Sequence, residues 1–196
     1  MNHHLDANTL LDYPSPRLKR RQKSRIAPGA RLRSGTVIYE ACRIGRGFET
    51  GHHVIVREEN RFGDHVKIWN NSTVDYGCRL GHRVKIHCNC YVSQYSVLED
   101  GVFLAPGVTL ANDLYPGFEE SYRKMRGPRI GRNAQLGVNV TVLPYVRIGA
   151  GALIGAGTVV TRDVPAGAVV WGNPGQVRGR VKDLRVHERL RLIKHV

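Results

Sequence analysis

Side chains that could act as bases, nucleophiles or metal ligands are unevenly spread along this sequence of 196 residues. Seven of the nine histidines come before residue 88, and none lies between His87 and His187. A zinc site needs three ligands and an open water position. His82 and His87 could supply two of them, with a third taken from His52, His53 or His65. Further along, Asn112 and Asp113 place an amide beside a carboxylate.

The charge is strongly basic, with 30 Lys and Arg against 16 Asp and Glu, a formal net charge of +14. Residues 1–25 carry six basic and two acidic side chains (+4), and residues 166–196 carry seven and two (+5). The segment 26–165 between them also contributes +5, with no continuous basic stripe interleaved with aromatics. This distribution indicates two solvated basic ends on a nearly balanced body, and no nucleic-acid partner.

Composition also limits the class of protein. No run of about 18 apolar residues is present, so no membrane-spanning helix is expected. The segment 1–25 is polar and then basic, without the apolar stretch of a secretion signal. Four cysteines in a chain of this size do not make a disulfide framework. We therefore expect a cytoplasmic protein.

An apolar residue recurs every six positions through most of the chain. From Ile26 to Leu110 only Thr50 breaks the pattern, and it resumes from Ile130 to Val160. An even period keeps these residues on the same face of a strand, because strand side chains alternate with period two. A helix with 3.6 residues per turn would spread them over all its faces.

Turn residues follow the same period. Within the repeat, every glycine stands one or three residues after an apolar anchor, as Gly45 and Gly47 do. Glycine tolerates positive φ, so the chain can turn once in every hexad. Cys42, Cys78 and Cys90 fall four positions after an anchor, where cysteine packs as a small hydrophobe. The sequence therefore predicts an all-β parallel solenoid.

The hexads IGRGFE, FGDHVK, LGHRVK, IGRNAQ, IGAGAL and IGAGTV resemble the hexapeptide repeat of left-handed parallel β-helix acyltransferases. The resemblance covers roughly residues 26–175 and implies a left-handed β-helix with three hexads per coil. It also implies a homotrimer that binds acyl-CoA between neighbouring subunits. On this basis the chain comprises a basic segment (1–25), a β-helix (26–165) with an inserted loop (116–129), and a coil exit (166–196). A short C-terminal helix is expected there from the helical spacing of Val177, Val181 and Leu184.

The stretches FLAPGVTLANDLYPG, GPRIG and IGAGTVVTRDVPAGAVVWGNPG resemble nucleotide-linked amino-sugar N-acetyltransferases in particular. In that family an Asn-Asp pair begins the inserted loop, which implies that Asn112 and Asp113 orient the amino sugar. Asp113, or a water beside it, would then collect the proton. The resemblance implies further sugar contacts from His87 and Gln94, and we expect the nucleotide to meet the early coils through Arg57 and Arg61.

The absence of a histidine between His87 and His187 bears on the choice of acceptor. In related sugar and antibiotic O-acetyltransferases a histidine general base stands at about the place of Asn112. A hydroxyl nucleophile needs such a base, which contributes typically ~10²–10⁴-fold in rate. An amine that resembles an α-amino group, with a pKa near ~8, is already partly neutral at pH 7. The missing histidine therefore favours an amine acceptor.

The resemblance implies acetyl-CoA as the acyl donor, with no metal. Gly155 and Ala156 lie where the family runs the pantetheine arm along the late coils. Arg162 takes the place of a family lysine that meets the 3′-phosphate of CoA, and Arg178 is a second candidate for that charge. Arginine suits this role through its fork of donors.

Three other interpretations stay open. The chain could be an O-acetyltransferase of a sugar or antibiotic. It could be a zinc protein similar to the γ-class carbonic anhydrases, which use two histidines at the spacing of His82 and His87. It could also be a non-catalytic solenoid for assembly or nucleic-acid binding, since the basic residues of 17–25 can contact phosphates.

Overall fold

The chain winds into a three-sided prism of parallel β-sheets in a computed structural model that describes residues 3–184. Each coil contributes one short strand to each sheet, and successive coils pair residue by residue, as Lys67 with Lys85 and Thr73 with Tyr91. The predicted fold class, an all-β left-handed parallel β-helix of hexapeptide repeats with one inserted loop, is confirmed.

The strands are numbered in chain order and grouped here by sheet. The first sheet contains β1 (His4–Leu5), β4 (Arg31–Leu32), β7 (Glu49–Thr50), β10 (Lys67–Ile68), β13 (Lys85–Ile86), β16 (Phe103–Leu104), β19 (Gln135–Leu136), β22 (Leu153–Ile154), β24 (Ala168–Trp171) and the antiparallel β25 (Gln176–Arg180). The second contains β2 (Leu10–Tyr13), β5 (Val37–Tyr39), β8 (Ile55–Val56), β11 (Thr73–Val74), β14 (Tyr91–Val92), β17 (Thr109–Leu110), β20 (Thr141–Val142) and β23 (Val159–Val160). The third contains β3 (Arg25–Ile26), β6 (Arg43–Ile44), β9 (Arg61–Phe62), β12 (Arg79–Leu80), β15 (Val97–Leu98), β18 (Arg129–Ile130) and β21 (Arg147–Ile148). Two 3-10 helices span Ser121–Lys124 and Val181–Asp183.

Within each coil the chain runs from the first sheet to the second and then the third, turning at three corners. We call these corner 1-2, corner 2-3 and corner 3-1 after the sheets that they join. The apolar anchors point inward and fill the prism, as Ile86 and Leu104 do at 0% exposure. The coils approach so closely that a Cβ on Gly45 would lie 2.5 Å from the carbonyl oxygen of Gly63. Tight stacking of coils therefore explains why glycine occupies that turn.

The three sheets differ in the residues that they turn outward. The first is mixed: Arg31, Glu49, Lys67, Lys85, Phe103, Gln135, Leu153 and Val169. The second carries no charged residue at its paired outward positions from β5 to β23: Val37, Ile55, Thr73, Tyr91, Thr109, Thr141 and Val159. The third carries arginine at all but one: Arg25, Arg43, Arg61, Arg79, Val97, Arg129 and Arg147. These arginines recur once per coil and form a basic row without interleaved aromatics, which the sequence alone did not indicate.

The prediction that residues 1–25 form a solvated tail is wrong for its described part, since residues 3–13 complete an additional coil. β1 pairs with β4 and β2 pairs with β5, which extends the first two sheets by one strand each. The hexad pattern does not show this coil, because its apolar residues lie at the open end of the prism. Leu10 and Leu11 are 47% and 39% exposed there.

Residues 14–24, which we call the clasp segment, are held against corner 2-3 by a buried carboxylate. Glu40 is 1% exposed and accepts the backbone N–H groups of Ser15 (2.9 Å) and Gln22 (3.1 Å) and the Nε of Arg21 (2.7 Å). These bonds, led by the one from Ser15, hold the pKa of Glu40 below its ordinary value. Arg21 of this basic segment therefore serves the fold as a partner of an internal acid.

The end of the described chain also differs from expectation. Val177 lies in β25, which pairs antiparallel with β24, and only Val181–Asp183 are helical, as a single 3-10 turn. A strand here continues the first sheet past the last coil. The rest of the predicted C-terminal helix lies outside the described residues.

The inserted loop leaves the prism between β17 and β18, at corner 2-3. It spans residues 111–128 and contains the 3-10 helix Ser121–Lys124. Large apolar side chains along it are exposed: Leu114, Tyr115, Phe118 and Tyr122 at 50–74%. β18 still pairs with β15, so the coil closes over the insertion without a change of register.

Among residues 3–184, no helix is both long and apolar enough to cross a bilayer. The four cysteines are free, and burial raises the pKa of the Cys78 thiol to about 12.

Removing the Glu40 carboxylate should release the clasp segment. We expect Glu40→Ala to speed amide hydrogen exchange in residues 15–24 by roughly tenfold or more, because hydrogen bonds to a charged group are among the stronger ones. The wild type should lose the same protection as the pH falls from 4.5 through the lowered pKa of Glu40 and keep it at higher pH. Exchange followed by mass spectrometry measures both effects. Glu49→Ala, which removes a half-exposed carboxylate from the first sheet, is the control, and equal exchange in the two variants would contradict this role.

Candidate active site

Four polar side chains on successive coils form a connected column at corner 2-3. Asn112 donates from Nδ2 to Gln94 Oε1 (2.5 Å), and Gln94 donates from Nε2 to Asp75 Oδ2 (2.5 Å). Arg57 Nη1 lies 3.8 Å from Asp75 Oδ1. This polar column, Arg57–Asp75–Gln94–Asn112, ends where the inserted loop begins.

The column fixes which atom Asn112 offers to a ligand. A carboxylate only accepts hydrogen bonds, so Gln94 must turn its NH₂ group toward Asp75 and its carbonyl oxygen toward Asn112. Asn112 must in turn use its own NH₂ group on Gln94. Its Oδ1 is thereby left as an acceptor, in a side chain that is partly exposed. The corner therefore presents an oriented carbonyl oxygen that suits a donor such as an amine.

Asp75 is the buried member that orients the others. It is 6% exposed, and its Oδ2 also accepts the hydroxyl of Tyr91 (2.8 Å). Burial and the bond to Asp75 raise the pKa of Tyr91 above its ordinary value, so its hydroxyl stays a donor. A carboxylate with two side-chain donors and the backbone N–H of Tyr76 (2.8 Å) on its other oxygen has little freedom to rotate.

Arg57 is committed to its neighbours within the column. Its Nε and Nη2 donate to the two oxygens of Glu58 (2.9 and 3.2 Å), and its guanidinium lies 4.7 Å from the ring centre of Tyr39. Burial alone would raise the pKa of Glu58, but the hydrogen bonds from Arg57 hold it below its ordinary value. Arg17 of the clasp segment adds a bond to Glu58 (3.2 Å). The base of the column is therefore an ion-pair cluster of Arg57, Glu58 and Arg17.

The inserted loop is fastened to the top of the column. Asp113 accepts the backbone N–H of Tyr115 (2.9 Å) on one oxygen and the hydroxyl of Ser121 (2.8 Å) on the other. The N–H of Arg126 returns to the carbonyl of Asn112 (2.8 Å), and that of Gly127 to the carbonyl of Gln94 (3.1 Å). The loop thus leaves and re-enters the prism beside the same two residues.

The structure brings together some predicted site residues and separates others. Asn112, Asp113, Gln94 and Arg57 share corner 2-3. His87 lies at corner 1-2, across the second sheet, where its ring stacks on that of Trp69 (centroids 4.5 Å apart). Arg61 points outward from the third sheet. Within one chain, neither His87 nor Arg61 joins the polar column.

The residues expected to hold acetyl-CoA also divide between corners. Arg162 follows β23 at corner 2-3, two coils beyond Asn112 and so ~10 Å along the prism. Gly155 and Ala156 follow β22 at corner 1-2, and Arg178 lies in β25 on the first sheet. At Gly155 an added Cβ would meet the Cβ of Trp171 at 3.0 Å. The close approach of Trp171 from the next coil therefore explains why glycine occupies this turn.

Sequence reasoning missed Asp75 and Tyr91. Asp75 follows an apolar anchor in the stretch VDYG and reads as an ordinary turn residue. The available signal is its place in the repeat, because Asp75 and Gln94 both follow strands of the second sheet in successive coils. Comparing positions three hexads apart pairs Asp75 with Ser93, the neighbour of Gln94, and so would have placed Asp75 and Gln94 at the same corner.

The histidines considered for zinc do not converge in this chain. His82 lies at corner 3-1, where its Nδ1 meets the backbone N–H of Asp64 (3.0 Å), whereas His87 lies at corner 1-2. No group of three or more His, Cys, Asp or Glu side chains in the described part of the chain is arranged to hold a metal ion.

Comparisons with known proteins agree with this architecture. Residues 127–162 match the family model described as bacterial transferase hexapeptide (six repeats). The chain has the fold of the UDP-N-acetylglucosamine acyltransferase from Bacteroides fragilis, with a TM-score of 0.68 over 97% of this chain and 84% of that one. At 16% identity, this likeness concerns the fold alone.

Two relatives are similar in sequence. A Staphylococcus aureus (strain Mu50) protein named "putative acetyltransferase" is 38% identical over 128 residues, which are 58% of this chain and 61% of that protein. Serine acetyltransferase 2 of Arabidopsis thaliana is 41% identical over 86 residues, 44% of this chain and 25% of that protein. The chain thus matches about three-fifths of the length of the Staphylococcus relative.

A second carboxylate beside Asp75 should disrupt the column. We expect Gln94→Glu to lower stability by roughly 2 kcal/mol at pH 8, because a charge-assisted hydrogen bond is replaced by repulsion. The repulsion raises one carboxyl pKa in the folded chain, so the deficit should shrink at pH 5. Thermal unfolding at the two pH values measures this. The double variant Asp75→Asn/Gln94→Glu restores a donor and should recover most of the loss; no recovery would show that the two side chains do not interact.

Proposed function

We propose that the protein is an acyl-CoA-dependent N-acyltransferase that acetylates the amine of an amino sugar, with a nucleotide-linked sugar as the expected acceptor. The observation that carries the proposal is the Asn112 carbonyl oxygen, oriented by Gln94 and Asp75 at a corner where no histidine of the described chain stands. Support for acyl transfer comes from the hexapeptide family match and from relatives named as acetyltransferases.

The chemistry suits an amine more than a hydroxyl. A neutral amine carries its own lone pair and two N–H donors, one of which can bond to Asn112 Oδ1 while the lone pair faces the acyl carbon. A hydroxyl at the same place would need a base to remove its proton. Positioning of this kind contributes much of the rate when two substrates meet in one site.

The inserted loop provides a second functional group, the carboxylate of Asp113. Asp113 follows Asn112 directly, and its carboxylate holds the turn that begins the loop. Its negative charge beside the reacting nitrogen favours the ammonium that forms when the N–C bond is made. Asp113, or a water beside it, is the proposed acceptor of that proton.

The residues predicted to bind the acyl donor suit an acyl-CoA. When bound, acetyl-CoA supplies a thioester whose acyl carbon accepts the amine and whose sulfur leaves as a thiolate. Arg162 is exposed at corner 2-3 with no ion pair among residues 3–184, and can bind a phosphate group. Gly155 and Ala156 remain the proposed contacts for the pantetheine arm, and Arg178 remains the second candidate for phosphate.

A complete site would need two copies of the chain. Asn112 and Arg162 stand at corner 2-3, whereas Gly155, Ala156 and His87 stand at corner 1-2, on the far side of the second sheet. One ligand can touch both sets only if these corners come from neighbouring copies. The uncharged outward residues of the second sheet suit such packing, and we propose a homotrimer.

The same trimer would also bring the remaining predicted residues to the acceptor. His87 would reach the acceptor from the adjacent copy, because its corner would then face the corner of Asn112. Arg57 and Arg61 remain the proposed contacts for the nucleotide.

One observation favours a second candidate. Because serine acetyltransferase 2 of Arabidopsis thaliana is among the relatives, transfer to a hydroxyl is the alternative. It requires a base that removes the hydroxyl proton, a role for which histidine is the usual residue, and among residues 3–184 of the same chain no histidine lies at corner 2-3.

Acceptor panels with acetyl-CoA test the proposal. Nucleotide-linked amino sugars should be acetylated, with thiol release and a product heavier by one acetyl group, while the matching hydroxy sugars should not react. Asn112→Ala should lower kcat/KM by roughly 10²-fold, because the acceptor loses its fixed position. Gln135→Ala removes an exposed amide from the first sheet and is the control. Reaction with hydroxyl acceptors only, or full activity in Asn112→Ala, would contradict the proposal.

A further inference from the structure

The third sheet presents a line of arginines that the chemistry of the polar column does not need. We call the six outward arginines of this sheet the arginine column: Arg25, Arg43, Arg61, Arg79, Arg129 and Arg147. All six are exposed. The first four occupy consecutive strands, and neighbouring strands lie ~4.8 Å apart, so they form a straight row ~15 Å long.

The arginine column is not neutralised within the described chain. Arg129 donates to Glu99 (2.7 Å), but the other five arginines have no ion pair within residues 3–184. Like charges directly opposite each other on a sheet destabilise it. An anionic ligand would therefore relieve the repulsion between these neighbouring arginines.

A groove follows the same row. It has a volume of about 1210 Å³ and is lined by the first four arginines of the column. Gly45, Gly63 and Gly81 also line it, so backbone is open to a ligand beside the guanidinium groups. Arg132, the three acids Asp12, Glu99 and Asp100, and several apolar side chains line it as well. The groove is thus long, and its charged residues are basic in excess, with five arginines against three acids.

The spacing and lining favour one class of occupant. A second copy of the chain offers no matching acidic row, since Glu49 is the one acid at the outward strand positions described above. An extended acidic peptide places carboxylates of one side ~7 Å apart, which does not match a ~4.8 Å row. Sequence-tolerant binding of single-stranded nucleic acid uses exposed aromatic platforms, and the one Phe, Tyr or Trp of the described chain that lines this groove, Phe62, is 6% exposed.

We propose that the arginine column binds an extended phosphate chain, of the kind that inorganic polyphosphate provides, along this groove. Every unit of such a chain is charged, so each guanidinium meets phosphate oxygens whatever its spacing. Arginine binds such oxygens in a bidentate way. Arg61 is shared with the proposed nucleotide contacts, so the variant that tests this binding leaves it in place.

Titration of the full-length protein with labelled inorganic polyphosphate over a series of salt concentrations tests the proposal. The variant Arg25→Gln/Arg43→Gln/Arg79→Gln removes three members of the row and leaves Arg61 in place. We expect its affinity at 0.15 M salt to fall roughly 50-fold, and the slope of log K against log salt to shrink by about 2, because three fewer phosphate contacts release fewer counterions.

The variant Arg31→Gln/Lys67→Gln/Lys85→Gln removes the same charge from the first sheet and is the matched control. It should keep most of the affinity and slope, and circular dichroism should show both variants folded. The proposal is overturned if polyphosphate does not bind, or if the two variants weaken binding equally. Tighter binding of single-stranded DNA or of phosphatidylglycerol vesicles at the same salt would also overturn it.

Discussion

The hydrogen-bond ladder between coils is the constraint on which the rest of the structure depends. Each strand donates to the next coil, as Lys85 does to the carbonyl of Val102, and this places every residue against its counterpart one coil further on. Residues at the same position of successive coils therefore line up parallel to the prism axis. Apolar positions become the core, corner residues become the polar column, and outward residues of the third sheet become the arginine column.

The same constraint explains where function can be built. A coil cannot lengthen inside the ladder, so extra residues must leave at a corner, and residues 111–128 leave at corner 2-3. Because the ladder fixes the backbone on both sides of the exit, Gln94 and Asn112 stand in contact. Burial of Asp75 then decides which way both amides point. Rigid backbone and one buried carboxylate together give an orientation that an exposed loop alone would not hold.

Much of the fold was predictable because its period is visible in local residue types. The anchors and turn glycines of each hexad predict the sheets, and the loop follows from their interruption. The first coil was not predictable, because Leu10 and Leu11 lie at an open end where burial imposes no pattern. The arginine column was missed because it recurs only once per coil, at one-third of the frequency of the anchors. Asp75 was missed for the same reason, and His87 was placed with Gln94 although one strand separates their corners.

The central claim is that the acceptor, positioned by Asn112, attacks as the neutral amine, so that no histidine base is needed to remove its proton beforehand. The most direct test is the pH dependence of kcat/KM for two amino acceptors whose amine pKa values differ. We predict that the rising limb shifts with the acceptor, because only the neutral amine attacks. A limb that stays at the same pH for both acceptors would reveal a titrating group of the protein and would contradict this claim.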